Sequence, residues 1–126
     1  MHEVSILVCV TGQRTCHRLI QEGDRLAHEF DAQLCVLHVA KPGGALLGGN
    51  TDEAQALEYL FEISREHGAE MTVVRSDDVI GAISEHARQV KALMLVLGAP
   101  RKGAQDMVAR IRAAIPELEF HVVVTE

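Results

Sequence analysis

Residues 76–98 read SDDVIGAISEHARQVKALMLVLG, and the order of features within them decides the fold. Ser76, Asp77 and Asp78 are helix-starting residues, because short polar side chains can accept from the unpaired N–H groups of a first turn. Ile80, Ile83, Ala87 and Val90 then recur at helical spacing. Residues 92–97, ALMLVL, follow as an unbroken apolar run, the pattern of a strand covered on both faces rather than one. A helix feeding directly into such a strand is half of a β-α-β unit.

Working outward, the same unbroken pattern appears at residues 4–10 (VSILVCV), 33–39 (QLCVLHV), 71–74 (MTVV) and 120–124 (FHVVV). Between these runs, Leu19, Gly23, Leu26 and Phe30 space as one helix, and Leu57, Leu60 and Phe61 as a second. Met107 or Val108, with Ile111 and Ile115, space as a further one. The alternation β-α-β-α-β-α-β-α-β, with short connections, predicts an α/β fold: a doubly wound, five-stranded parallel sheet with helices on both faces. Residues 41–50 (KPGGALLGGN) are the one long irregular connection, and their two glycine pairs predict a mobile segment. Pro116 closes the last helix.

A chain of 126 residues with 48% hydrophobic content suits one domain, expected to run over 1–126. No apolar run reaches membrane-spanning length. The opening MHEVSILV also lacks the order of a secretory signal, so a cytoplasmic location is expected. A net charge of -6, no Trp, one Tyr and three Phe argue against nucleic acid and anionic lipid as partners. Three cysteines without a CxxC pair argue against both a disulfide framework and a zinc site.

In a doubly wound sheet, ligands collect where the strand order reverses, at the carboxyl ends of the strands. The openings of the second helix (Thr51, Asp52, Glu53) and the third (Ser76, Asp77, Asp78) are acidic and satisfy their own helix dipoles. The openings after the first and fourth strands differ. Thr11, Gly12, Gln13, Arg14 and Thr15 carry no acid, nor do Gly98, Ala99, Pro100, Arg101, Lys102 and Gly103. Backbone N–H groups, a positive dipole end and basic side chains together suit a small anionic ligand. The competing reading is that Gly98 and Gly103 make tight turns beside solvated Arg101 and Lys102. Gly98 and Gly103 have the spacing of a Walker-type phosphate loop, but Ala104 and Gln105 stand where Lys and Ser or Thr would be needed. No metal ligand is in place, which counts against an enzyme.

The pattern as a whole resembles the universal stress protein superfamily. It does so through SILVCVTG, LCVLHVA, the SDDVIGAISEHARQVKALMLVLGAPRKG stretch and IPELEFHVVV, which together cover nearly the whole chain. Within it the sequence is most similar to the stress-protein-like domain of potassium-sensing kinases of the KdpD type. The resemblance implies an adenine nucleotide alpha-hydrolase-like sandwich with strand order 3-2-1-4-5. It also implies a cytoplasmic, often dimeric protein that binds ATP or another adenine nucleotide for signalling in stress responses. By that likeness Thr11 and Gly12 lie beside ribose and phosphate, Val39 and Ala40 beside adenine, and Gly98 with Gly103 beside the phosphates; Gln13, Ala99, Arg101, Lys102 and Ala104 complete the expected ligand-binding set. Two departures stand out. The aspartate usual after the first strand is Thr11, and the family's longer glycine loop, with its hydroxyl residue, is compressed to Gly98–Ala104. A smaller anion, a cyclic dinucleotide or no ligand therefore stay open beside ATP, as does a weak nucleotide hydrolase.

Cys16 falls in the first turn of a helix, where a dipole favours thiolate, but no acid or second cysteine completes a mechanism. Cys9 and Cys35 read as core filler. His38 and His121 fall inside strands and are expected to be hydrogen-bonded, with His38 near the crevice. Asp77 and Asp78 are read as helix caps rather than as an acid/base pair. Residues 120–124 form an apolar edge strand, and a homodimer through it is expected.

Overall fold

The computed structural model describes residues 3–10, 13–40, 51–98 and 105–123, with the backbone alone described at 13–16, 51–54, 56 and 105–107. Among these residues the chain alternates β1 (Ser5–Cys9), α1 (Gln13–Phe30), β2 (Gln33–Ala40), α2 (Thr51–Glu66) and β3 (Glu70–Arg75). It continues with α3 (Val79–Gln89), β4 (Ala92–Gly98), α4 (Gln105–Ala114) and β5 (Glu119–Val123). The strands form one parallel sheet in the order β3-β2-β1-β4-β5. This is the alternation and the order expected from the sequence. The 41–50 segment and Val124 lie outside the described residues.

The unbroken apolar runs follow from the sheet's two covered faces. Side chains alternate along a strand, so Ile6, Val8 and Val10 join Leu19, Ile20 and Leu26 of α1 and Leu57, Leu60 and Ile63 of α2. Leu7 and Cys9 point the other way, to Ile83 and Ala87 of α3 and to Ile111 and Ile115 at the end of α4. Ile6, Leu7 and Val8 are fully buried, and burying each such side chain is worth about 1.5–3 kcal/mol. The central position of β1 in the sheet explains why it has no solvent face.

Three details depart from what the spacing suggests. Phe30 and Phe61, placed on apolar helix stripes by their spacing, are 43% and 45% exposed. Phe30 is the final residue of α1, and Phe61 sits one position round from the buried Leu60. Residues 71–74 read as fully buried but are half-buried, because β3 is an edge strand with one neighbour. Between β1 and β4 the register shifts at Ser5/Ile6, pairing Ser5 with Ala92 and Ile6 with Met94, so that Leu93 is the extra residue.

Candidate functional site

Strand order reverses between β1 and β4: β2 and β3 lie to one side of β1, and β4 and β5 to the other. The helices that follow β1 and β4 lie on opposite faces, α1 with the Ile6 and Val8 cluster and α4 with the Leu7 and Cys9 cluster, the arrangement that sets a crevice at the carboxyl ends of these strands. Four described residues border it: Val10 after β1, Val39 and Ala40 at the end of β2, and Gly98 at the end of β4.

Gly98 pairs with Val123 across the sheet and is half-buried. Among the described residues a β-carbon there would meet only the Leu19 methyls, at 3.7 and 3.9 Å, which is ordinary contact, and the residue's φ is outside the left-handed region. Neither contact with the described residues nor backbone conformation requires glycine at this position. Ala40 is buried, and its carbonyl accepts from Ser76 N–H at 2.8 Å. Val39 packs against the cluster on the α3/α4 face. Gln13 is the first residue of α1, which has no acidic residue in its first turn. Thr11, Gly12, Ala99, Arg101, Lys102, Gly103 and Ala104 lie outside the described residues; of the expected set the structure places Gln13 at the start of α1, Val39 and Ala40 at the carboxyl end of β2, and Gly98 at that of β4.

The acidic opening of α3 serves the helix itself. Asp78 is the N-cap, and its Oδ1 accepts from Gly81 N–H at 2.9 Å. Asp78 N–H in turn donates to Ser76 Oγ at 3.0 Å. Capping, rather than acid/base pairing, is therefore the role of Asp78.

His38 is hydrogen-bonded as expected, with Nδ1 3.0 Å from the Val10 carbonyl. His121 of β5 lies 2.7 Å from Glu22 Oε2 on α1. Hydrogen bonds from Arg25 foremost, opposed in part by desolvation and reinforced by His121, hold the Glu22 carboxyl down at about 2. On the other flank of α1, Asp24 Oδ2 meets His67 Nδ1 at 2.8 Å, and Asp24 Oδ1 lies 3.2 Å from His28 Nδ1. These contacts join residues 99 and 43 positions apart, and no local motif announces them.

Burial pushes the Cys9 thiol up to about 12, and burial first, then the Glu70 charge, raises that of Cys35. Both are inert core groups, as expected. The side chain of Cys16 lies outside the description. Among the described residues, no group of three or more His, Cys, Asp or Glu is arranged to hold a metal. No described helix is long and apolar enough to cross a membrane.

A groove of about 580 Å³ also opens at the opposite, amino-terminal ends of the strands, over Ser5, Cys35 and Val90. Its floor is already engaged: Ser5 Oγ donates to the Val90 carbonyl at 2.8 Å, and the Cys35 thiol stays protonated. The carboxyl-end crevice is the candidate site because ligands of a doubly wound sheet collect at the topological switch point.

A five-stranded parallel sheet of this order, with helices on both faces, defines a doubly wound α/β domain. The universal stress protein family model matches residues 5–111, and the chain belongs to that family. A sensor protein of the KdpD type from Synechocystis sp. is 27% identical over 129 residues, covering 98% of this chain and 34% of that protein. The KdpD sensor protein of Mycobacterium tuberculosis is 34% identical over 97 residues, covering 77% of this chain and 11% of that protein. The chain thus spans about a third of the first relative's length and about a tenth of the second's. The universal stress protein of Archaeoglobus fulgidus superposes with a TM-score of 0.67 at 26% identity, covering 100% of this chain and 96% of that one. The same organism's protein in complex with dAMP gives 0.66 at 24% identity, covering both chains fully.

Proposed function

We propose that this chain is a small-ligand binding or sensing module whose ligand is an adenine nucleotide or a similar anion, held at the carboxyl ends of β1 and β4. The observation that carries this reading is Gly98, a glycine at the switch point that neither contact with the described residues nor backbone conformation demands. A close approach of ligand to the backbone gives it a reason. The acid-free first turn of α1 supports an anion beside it. The dAMP complex of the Archaeoglobus fulgidus protein and a universal stress protein solved with cAMP support an adenine nucleotide as the class.

The likeness to KdpD sensor proteins supports a signalling role in a stress or potassium-sensing system. In this reading residues 1–126 are one stress-protein-like domain, cytoplasmic, with no chemistry of its own. It pairs with a second copy along β5, where Val122 is 38% exposed on an open edge. Isothermal titration with ATP and AMP tests the binding, and saturable heat for either supports it. An assay for phosphate release tests the absence of catalysis; sustained release that disappears in Gly98→Val would establish a hydrolase instead.

A second reading, a ligand-free dimerisation domain, is favoured by Thr11 and Ala104 standing where the family pattern has an acid and a hydroxyl. It predicts no heat with any nucleotide and a dimer by light scattering.

A further inference from the structure

His38 stands third from the carboxyl end of β2, on the same sheet face as Val36 and thus on the α1/α2 side. Its contact is with Val10, the residue where the β1 ladder has already stopped and the connection to α1 begins. Val10 N–H donates to the Leu37 carbonyl at 3.0 Å, and Val10 C=O accepts from His38 Nδ1 at 3.0 Å. Consecutive residues of β2 therefore hold both polar groups of Val10, one through backbone and the other through a side chain.

Val10 is 1% exposed, so its carbonyl has little access to water as an alternative donor. A carbonyl only accepts, which means that Nδ1 carries the hydrogen whether the ring is neutral or charged. The contact is therefore a fixed strut, and it acts at the carboxyl end of β1.

We propose that His38 is a positioning residue that sets the course of the β1–α1 connection through Val10, and with it the affinity of the carboxyl-end crevice. The proposal rests on the reading of that crevice as the ligand site. A strand histidine with no metal partner and no ion pair among the described residues has this one hydrogen bond to account for it. Position 38 is half-buried in an otherwise apolar strand, where a polar ring costs some desolvation unless a buried partner needs it.

The test uses the full chain and three variants. His38→Asn keeps an N–H donor where Nδ1 stands, His38→Leu removes it, and Leu60→Val in the α2 core is a control for general destabilisation. Amide hydrogen exchange at residues 11–13 and the ATP dissociation constant are measured for each. We expect His38→Leu to speed exchange at residues 11–13 and to weaken ATP binding, each by about tenfold, as loss of one buried hydrogen bond would. His38→Asn should stay within about threefold of native in both, and Leu60→Val should leave both unchanged even where its melting temperature falls. Unchanged exchange at residues 11–13 in His38→Leu, or Asn behaving like Leu, overturns the proposal. If the native chain binds no ATP, the nucleotide reading fails, and the exchange pattern still decides whether His38 positions the connection.

Discussion

Gly23 of α1 lies so close to Val8 of β1 that a β-carbon at residue 23 would fall inside van der Waals contact of Val8 Cγ2 and stand 3.0 Å from Leu34 Cδ1. The helix rests on the central strand backbone to side chain, and this sets how deeply α1, which leads from the crevice, beds into the sheet. Ordinarily Gly→Ala inside a helix gains about 0.5–1 kcal/mol. Here Gly23→Ala should instead cost about 1–3 kcal/mol through overpacking. In a Val8→Ala background the same change should cost less by about 1 kcal/mol or more, a coupling that urea midpoints of the double-mutant cycle would reveal.

Capping by Asp78 makes a prediction that separates it from acid/base chemistry. Asp78→Ala should lose about 1 kcal/mol of stability, whereas Asp78→Asn, an equally good cap, should lose almost none. Gly81→Ala should also destabilise, since its β-carbon would meet the Asp78 carboxylate, with Cγ at 2.8 Å. Thermal melts of the three variants check this. If Asn proved as damaging as Ala, the charge rather than the cap would matter.

The Glu22 carboxyl, held at about 2 against an ordinary 4.5, predicts a specific acid limb. A carboxylate with a depressed folded value stabilises above its unfolded value and loses that contribution as pH falls from about 5 to 2. The side chain is 26% exposed, so solvent screening keeps the effect near 1 kcal/mol or below. Stability measured by urea at successive pH values should therefore fall more gently over that window in Glu22→Gln than in the native chain.

Gly98 offers the cleanest separation of fold from function. Because among the described residues a β-carbon there meets only the Leu19 methyls at contact distance, Gly98→Ala should melt within about 0.5 kcal/mol of native. Its nucleotide affinity should fall by about tenfold, a loss of 1.4 kcal/mol, as calorimetric titration would show. Loss of stability without loss of affinity would return the glycine to a packing role.

The fold was legible because burial on both faces writes itself as unbroken apolar runs: residues 4–10 and 92–97 announce the two strands that flank the crevice. Helix spacing found the buried Ile83 and Ala87, but it misplaced Phe30 and Phe61, since periodicity identifies a stripe without saying where the sheet beneath it ends. The acid-free opening of α1 and Asp78's cap were legible from residue type alone. The clamps from His121 to Glu22 and from His67 to Asp24 were not, because they join distant segments through single side chains. His38 could be placed near the crevice from its position in the strand, but its bond to Val10 depends on how β1 ends.

The most direct test of the central claim is a thermal-shift panel with ATP, ADP, AMP, a cyclic dinucleotide and phosphate on the native chain and on Arg101→Glu. A ligand at about a hundred times its dissociation constant adds about 2.7 kcal/mol, on the order of 10 °C for a domain of this size. The account predicts such a shift for an adenine nucleotide in the native chain and its loss in Arg101→Glu. A native melting temperature that none of these ligands moves would contradict it.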